Sequence, residues 1–450
     1  MNSKQEQMKT KPIFPLLVSM AIPMMFSMLI QSLYNIIDSI FVARLGNDAF
    51  TAVSLIYPLQ NLVISVAVGF GVGVSSCISI AMGSKDIKRA ETAAATGVVF
   101  SIVHSLLFVL FGMLATKPFL HLFTSDETII QMGSEYGYVV LCLAFGAVVQ
   151  VCFEKIFQAL GNMTITMYVL AIGALINIIL DPIFIFGYFG VPAMGVKGAA
   201  IATVCGQIGG LILYLIYYKH KKASIPLRIS LKNLQLDLSI LKQLYSVGIP
   251  STIMIALPSL LISILNGILV TFSDIHVSVL GIYYKLQSFI YLPAGGIVQG
   301  MRPIIGFNYG AGEKVRVKKT LQVSLLFTAA IMLAGTILSL CIPAQILAMF
   351  HADDSMLTVG IPALRIISLG FLISTFGVIY SGAFEALGLG IPSLVISLLR
   401  QLVIIVPLSI LLSRSFGANG IWVSFPISEA IAAAVAILLM RRTLKKFNRT

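Results

Sequence analysis

FQALG at 157–161 returns as FEALG at 384–388, one residue changed and 227 positions later. The same offset of 227 joins SMAIP (19–23) to SVGIP (246–250), Gln60 to Gln287, Gly73 to Gly300, Gly83 to Gly310, Phe123 to Phe350 and Gly133 to Gly360. Chance would not hold one spacing over so long a stretch. Near the end of each half, GVKG (195–198) answers GANG (417–420) at an offset of 222, so one short deletion has entered. The chain is a tandem repeat, and the repeat fixes its architecture before any single element is read.

The repeated material is apolar. Hydrophobic residues make up 58% of the 450 and charged residues 10%, with a mean hydropathy of +0.99; a soluble domain carries roughly a quarter charged residues. Apolar windows between turn and charge clusters predict twelve spans, at 14–42, 50–80, 92–115, 132–157, 164–188, 196–218, 241–272, 277–305, 320–341, 357–384, 391–412 and 420–440. Each reaches the roughly 20 residues that cross a hydrocarbon core of about 30 Å. No alternating ten-residue pattern of an outer-membrane barrel is present. The longer spans predict tilt or bends, with Pro23, Pro58, Pro250, Pro258, Pro293 and Pro407 as bend sites. The polar, basic start MNSKQEQMKTK leads into an apolar run without a small-residue cleavage site, which reads as a retained first helix. Cys77, Cys142, Cys152, Cys205 and Cys341 sit in apolar runs without metal spacing and read as small hydrophobes.

The formal charge of +13 is a matter of topology. Basic residues gather in the segments 4–11, 85–89, 219–242, 314–319 and 441–449, whereas the opposite connections hold only Arg44, Lys117, Lys197 and Arg414 beside several acids. The positive-inside rule then predicts that both termini are cytoplasmic. Anionic lipid headgroups account for the charge, so the bilayer is a partner and nucleic acid is not. Each repeat contains an even number of spans, so both halves begin on the same side of the membrane. Such parallel repeats are related by an axis along the membrane normal. The expected fold is all-α and integral to the membrane: twelve transmembrane helices in two pseudo-two-fold-related six-helix lobes. The lobes are expected at 1–218 and 241–450, joined by a cytoplasmic linker at 219–240. Halves of this kind enclose a central cavity and rock about it in alternating access, which favours a transporter, expected as a monomer, over a channel.

An ionisable residue inside a membrane is a functional candidate by default. Asp38 lies in QSLYNIID (31–38) of the first span, and Asp181 in NIILDP (177–182) of the fifth. Both spans run outward, so the carboxylates reach similar depth, and Asn177 shares a helix face with Asp181. Two carboxylates together in a low-dielectric site repel when both are ionised. Such a pair suits a bound proton or Na⁺. The competing reading makes each a helix-end Asp that reaches water, helped at Asp181 by unwinding at Pro182. Glu154 and Lys155 fall near the inner end of the fourth span, where snorkelling of Lys155 competes with function. Lys285 could face the cavity or neutralise a carboxylate. Gln31, Tyr34, Gln60 and Gln287 complete the candidate cavity positions. Arg400 and Glu429 are expected as a structural ion pair, Glu385 as a solvated helix-end acid, and His104 as a packing histidine. No Gly-Lys-Ser/Thr phosphate loop occurs, so an ion gradient rather than ATP is the expected energy source.

QSLYNIIDSIFVARLG (31–46), GFGVGVSSCISIAMG (69–83), NIILDPIFIFG (177–187), GVKGAAIAT (195–203), SLLRQLVIIVPL (397–408) and GANGIWVSFPISEAI (417–431) together resemble the multidrug and toxic compound extrusion (MATE) family of the MOP superfamily, in its DinF-like bacterial multidrug branch. The resemblance spans essentially the whole chain. It implies export of small amphipathic, often cationic compounds against entry of H⁺ or Na⁺, hence xenobiotic transport and drug resistance at a bacterial cell (inner) membrane. It places Asp38, Asn177, Asp181 and Thr203 at the family's N-lobe cation site, with Pro23 as a hinge of the first helix. No cofactor beyond the coupling ion is implied, and no catalytic residue or metal. One departure is informative: some members carry acids in the C-lobe, but Asp38 projects by 227 onto Leu265 here. Coupling through the N-lobe is therefore expected. A lipid-linked oligosaccharide or precursor flippase of the same superfamily is the alternative, and few basic residues (Lys285, Arg302, Arg365, Arg400) are available to hold pyrophosphate. An enzyme has no His/Cys/carboxylate cluster to support it.

Overall fold

A computed structural model describes residues 3–222, 225–229, 237–350 and 352–449. Twelve helical spans appear where the apolar windows predict them: α1 (Ile13–Ala43), α2 (Asn47–Gly83), α3 (Ile87–His121), α4 (Glu127–Cys142 with Phe145–Ala159), α5 (Met163–Phe186), α6 (Gly195–His220), α7 (Leu238–Leu269), α8 (Asp274–Gly310), α9 (Lys314–Cys341), α10 (Asp354–Ala386), α11 (Gly390–Leu398, a turn at Leu399–Val403, then Ile405–Phe416) and α12 (Ala418–Arg449). Ten of these spans are long and apolar enough by themselves to cross a membrane, and the bent α4 pair makes an eleventh. The twelfth, α8, is 37 residues long but carries Lys285, Gln287, Gln299 and Arg302. Helices suit this composition because each satisfies its own backbone hydrogen bonds without water. On α3, Leu106, Leu107, Leu110, Met113 and Leu114 are all exposed, as a lipid-facing stripe requires. The protein is a multi-pass, all-α membrane protein.

Of the prolines named from sequence, only Pro407 lies beside an interruption. α1, α2, α7 and α8 continue through Pro23, Pro58, Pro250, Pro258 and Pro293. α4 instead bends by 42° between its two segments, at a point without proline. In α11 the ladder widens to a π turn over Leu399–Val403, where Ile404 N–H donates to Leu399 O at 3.3 Å. Pro407 follows four residues after Val403 and denies that carbonyl its helical donor. Pro182 likewise lies inside α5, which runs on to Phe186 and ends at Gly187 with φ of 79°. No unwinding opens Asp181 to water.

The helices form two compact units. One comprises Met1–Thr10 and Phe26–Thr252, the other Lys11–Met25 and Ile253–Thr450. The chain thus changes unit inside α1 and inside α7, not at the segment 219–240 that separates the lobes in sequence. Within the first unit, the start of α7 packs on α2 at Gly69 and Gly73. A Cβ on Gly73 would collide with the Leu244 carbonyl and lie 3.2 Å from Gly248 N. Within the second, the start of α1 packs on α8 at Gly296 and Gly300. There a Cβ would lie 2.9 Å from Met25 N and 2.8 Å from Ala21 N respectively. Gly69–Gly73 and Gly296–Gly300 are the same repeat positions, and in both units small residues let two backbones touch. Of the sequence-defined linker, residues 223–224 and 230–236 lie outside the described residues. Its described part docks on the first unit: Ile225 and Leu227 are buried, Arg228 N–H donates to Glu91 Oε1 at 2.9 Å, and Ile229 N–H donates to the Tyr218 hydroxyl at 2.8 Å.

Candidate functional site

α5 and α6 lie close because Gly173 meets the Gly206 carbonyl; a Cβ there would sit 3.0 Å from it. One turn along from that contact, Asn177 on α5 reaches both its neighbours. Its Nδ2 donates to Asp181 Oδ1 at 3.3 Å and to Thr203 Oγ1 at 3.4 Å. Relative exposure is 2% for Asn177, 0% for Asp181 and 5% for Thr203, so the reading of Asp181 as a water-reaching helix end fails. Asp38 is half-buried on α1, and its charge acts on Asp181. Both carboxylates act electrostatically on the hydroxyls of Tyr34 and Tyr136. Tyr136 OH donates to Gln60 Oε1 at 3.4 Å, which closes the polar cluster on the α2–α4 side.

The cluster has acceptors to spare. Asp38 Oδ1, Asp181 Oδ2 and Asn177 Oδ1 are all buried without a hydrogen-bond donor. Three orphaned acceptors, two on like-charged groups, are the donor set a hard cation or a proton requires. Beside Asp38 a cavity of about 210 Å³ is lined by Ser39, Val42, Phe50, Val53, Ser54 and Tyr57. An aromatic and aliphatic wall with one carboxylate suits the contact face of an organic cation.

Asn177, Asp181 and Thr203 are therefore in direct contact, with Asp38, Tyr34 and Gln60 around them in the same unit. Gln31 stands apart, exposed two turns before Asp38. Tyr57 and Tyr136 were not singled out from sequence; a tyrosine in an apolar span carries no signal until its partner, 76 residues away for Tyr136, is known.

Several other ionisable residues differ from expectation. Lys155 does not snorkel: it is buried, and its Nζ donates to Glu154 Oε1 at 2.9 Å and Gln158 Oε1 at 3.0 Å. Gln158 Nε2 donates in turn to Glu154 Oε1 at 2.7 Å. Glu385 is not solvated either. It is 3% exposed and forms an ion pair with Arg302, bridging α10 and α8. A helix end in sequence is not a helix end in water when a neighbouring span covers it. Lys285 is exposed and places its Nζ 5.8 Å from the Phe350 ring centroid, a cation–π contact rather than a carboxylate pairing. Gln287 bonds Tyr291 within the second unit. Arg400 and Glu429 do pair, with Nε to Oε2 at 2.7 Å and a second guanidinium N–H to Oε1 at 2.8 Å. His104 is a packing histidine, its Nε2 2.8 Å from Tyr245 OH and its ring edge-on to Phe70 at 4.8 Å.

Comparison with known proteins extends the picture. The MatE family model matches residues 23–183 and again 250–411, once in each repeat. The multidrug export protein MepA of Staphylococcus saprophyticus subsp. saprophyticus is 25% identical over 441 residues, covering 97% of this chain and 96% of that protein. A multidrug resistance MATE family transporter of the MOP superfamily, solved in an outward-facing conformation, superposes with a TM-score of 0.91 at 25% identity over 100% of both chains. A MATE structure in a bent conformation gives a TM-score of 0.93 at 25% identity, over 100% of this chain and 99% of that one.

Proposed function

This chain belongs to the MatE family, and from that premise we propose that it is a multidrug efflux antiporter of a bacterial plasma membrane. It exports small amphipathic, often cationic compounds, driven by H⁺ or Na⁺ entering at Asp38, Asn177, Asp181 and Thr203. The observation that carries this reading is the set of orphaned acceptors on Asp38, Asp181 and Asn177. Buried like charges without a counter-ion cost several kcal/mol or more, and a coupling ion removes that cost. The similarity to the multidrug export protein of Staphylococcus saprophyticus supports the substrate class. The distribution of basic segments supports a cytoplasmic location for both termini.

Pro23 gives the ion a lever. It lies inside α1 and has no N–H for the carbonyl of Ser19, so α1 bends there at lower cost than elsewhere. The chain passes from one unit to the other at Met25–Phe26, two residues beyond Pro23. Asp38 follows on the same helix, so charging or neutralising it acts on the segment that joins the units. Alternating access then consists of ion loading, bending of α1 and substrate release.

The test uses purified protein in proteoliposomes with a fluorescent cationic dye and separately imposed proton and Na⁺ gradients. Wild type is expected to move dye against one of them, and Asp38→Asn to insert normally but lose gradient-driven transport. Wild-type export by Asp38→Asn would overturn the assignment.

A further inference from the structure

α11 and α12 are the repeat counterparts of α5 and α6, the two helices that carry Asn177, Asp181 and Thr203. By the offset of 227 Arg400 answers Gly173, and by that of 222 Glu429 answers Gln207. Gly173 precedes Asn177 by one turn, and Gln207 follows Thr203 by one turn. Because α5 and α6 are antiparallel, with Gly173 against Gly206, both substitutions fall at one level, a turn from the acceptor cluster. At that level the first unit has a glycine and a glutamine, while the second unit has a guanidinium clasped by a carboxylate.

The local backbone is arranged around this clasp. Arg400 sits in the π turn Leu399–Val403, a feature that interrupts regular helix and is frequent at functional sites. Its aliphatic stem lies over Gly377 of α10, where a Cβ would be 2.8 Å from Arg400 Cδ. Glu429 lies against Gly370, two turns before Gly377. α8 contributes Tyr283 and Tyr291, the titratable groups that feel both charges, and Tyr291 OH is tied to Ser374 Oγ at 2.7 Å. Both glutamate oxygens accept from the guanidinium. The contrast with the first unit is chemical: there three buried acceptors lack a donor, here the carboxylate has two.

We propose that Arg400 is a built-in counter-ion that takes the place of a diffusible cation in the second unit, so that this unit binds no coupling ion and the transporter is loaded through the first unit alone. Arg400 is thus a specificity-determining residue: it decides which half of a duplicated fold responds to the gradient. A guanidinium never loses its proton in a protein and cannot leave. A carboxylate held bidentately by it stays compensated throughout the cycle. The inference takes from the proposed function that a cation loads the first unit; the Trp422 titration that tests it does not depend on that, and the export arm does.

Trp422 provides the reporter. It is the one tryptophan of the chain, is 0% exposed, and lies two turns before Glu429 on α12, in the core cluster of the second unit with Tyr283 and Phe425. Its emission is followed in purified full-length protein from about pH 4 to about pH 9, with and without Na⁺. Wild type is expected to show no transition that depends on Glu429. Arg400→Met, which leaves the carboxylate without its partner, is expected to show a new one-ion transition. Arg400→Met/Glu429→Gln is expected to abolish it and to keep the wild-type ion dependence of dye export. If Arg400→Met fails to fold while the double variant folds, the uncompensated carboxylate is revealed directly. Three results would overturn the proposal. One is a wild-type transition that Glu429→Gln removes; another is a folded Arg400→Met without any transition. The third is a folded, inserted double variant that has lost ion-driven export. Loss of the Asp38 reading in proteoliposomes leaves the Trp422 titration intact, so the two failures are distinguishable.

Discussion

Breaking the Arg302–Glu385 pair tests how firmly the second unit depends on a carboxylate, Glu385, that its sequence position assigns to solvent. The glutamate side chain is 4% exposed and the arginine side chain 22%. Removing one partner of a buried pair costs about 3–5 kcal/mol, because the survivor is left charged and dry, whereas replacing both with apolar groups is often neutral. Arg302→Met takes the guanidinium from the more buried group and should fall near the top of that range. Glu385→Leu strands a guanidinium that can turn its exposed edge to water, and should cost about 2–3 kcal/mol, at or below the lower end. With a near-neutral double variant, the double should then be more stable than the sum of the singles by about 7 kcal/mol, well beyond the roughly 0.5 kcal/mol within which independent sites add. The assay is reversible unfolding of the purified protein in mixed micelles, with helicity recorded against denaturing detergent. Additive singles would refute the coupling. A larger loss for Glu385→Leu than for Arg302→Met would refute the ranking by burial.

Gly73→Leu places a branched side chain against the Leu244 carbonyl and Gly248; backbone cannot give way as a rotamer can. A loss of about 1–3 kcal/mol or more is expected, and Gly312→Ala, where a Cβ meets nothing but φ is 72°, separates clash from backbone strain. Tyr245→Phe removes the partner of His104 but keeps the ring contacts with Phe70 and Phe100; thermal denaturation should report a loss of about 0.5–1.5 kcal/mol. At the exposed start of α10, Asp353 accepts from Met356 N–H and Ser355 Oγ, and these bonds hold its carboxyl below the usual range. A depressed folded value means the cap contributes fully above the unfolded value of about 3.9 and is lost as pH falls through the folded one. Amide exchange at Met356 should therefore quicken in acid, and Asp353→Asn, which still caps, should remove that pH dependence; exchange that stays flat in wild type would refute it.

The spans were legible because a hydrocarbon core demands long apolar helices, and the repeat because its offset never drifted between FQALG and FEALG. Asp38 and Asp181 were legible as charges where charge is costly. Partnership was not. Gln158 and Glu385 occupy the same repeat position, yet one is held by Lys155 and Glu154 from its own helix and the other by Arg302 from α8. Neighbours within four residues can be read along a chain; a partner 83 residues away cannot. What a proline does to its helix is not legible for a related reason. Pro23 and Pro250 flank the points where the chain changes unit, but whether a helix breaks there depends on what packs around it. The bend at residues 143–144 has no proline in it, whereas the π turn at 399–403 precedes Pro407.

Electroneutrality separates the structural charges from the functional ones. Among the described residues, Glu154, Glu385 and Glu429 each hold a cationic side chain at ion-pair distance. Each of these arrangements is closed, and none gains by admitting an ion from outside. Asp38 and Asp181 have no such partner and act instead on each other. The duplicated fold thus meets the cost of membrane-buried charge in two ways. Where the compensating cation is covalently part of the chain, as at Arg400, the charge is constant and leaves no place for a diffusible ion. Where the acceptors are left open, as at Asp38, Asp181 and Asn177, the charge would vary with a bound cation, as the proposed coupling requires. A variant that moves a lysine into reach of the open acceptors, Thr203→Lys, should therefore insert and fold while becoming insensitive to either gradient. Retained gradient-driven dye export by that protein would show that the open acceptors are not where the ion acts.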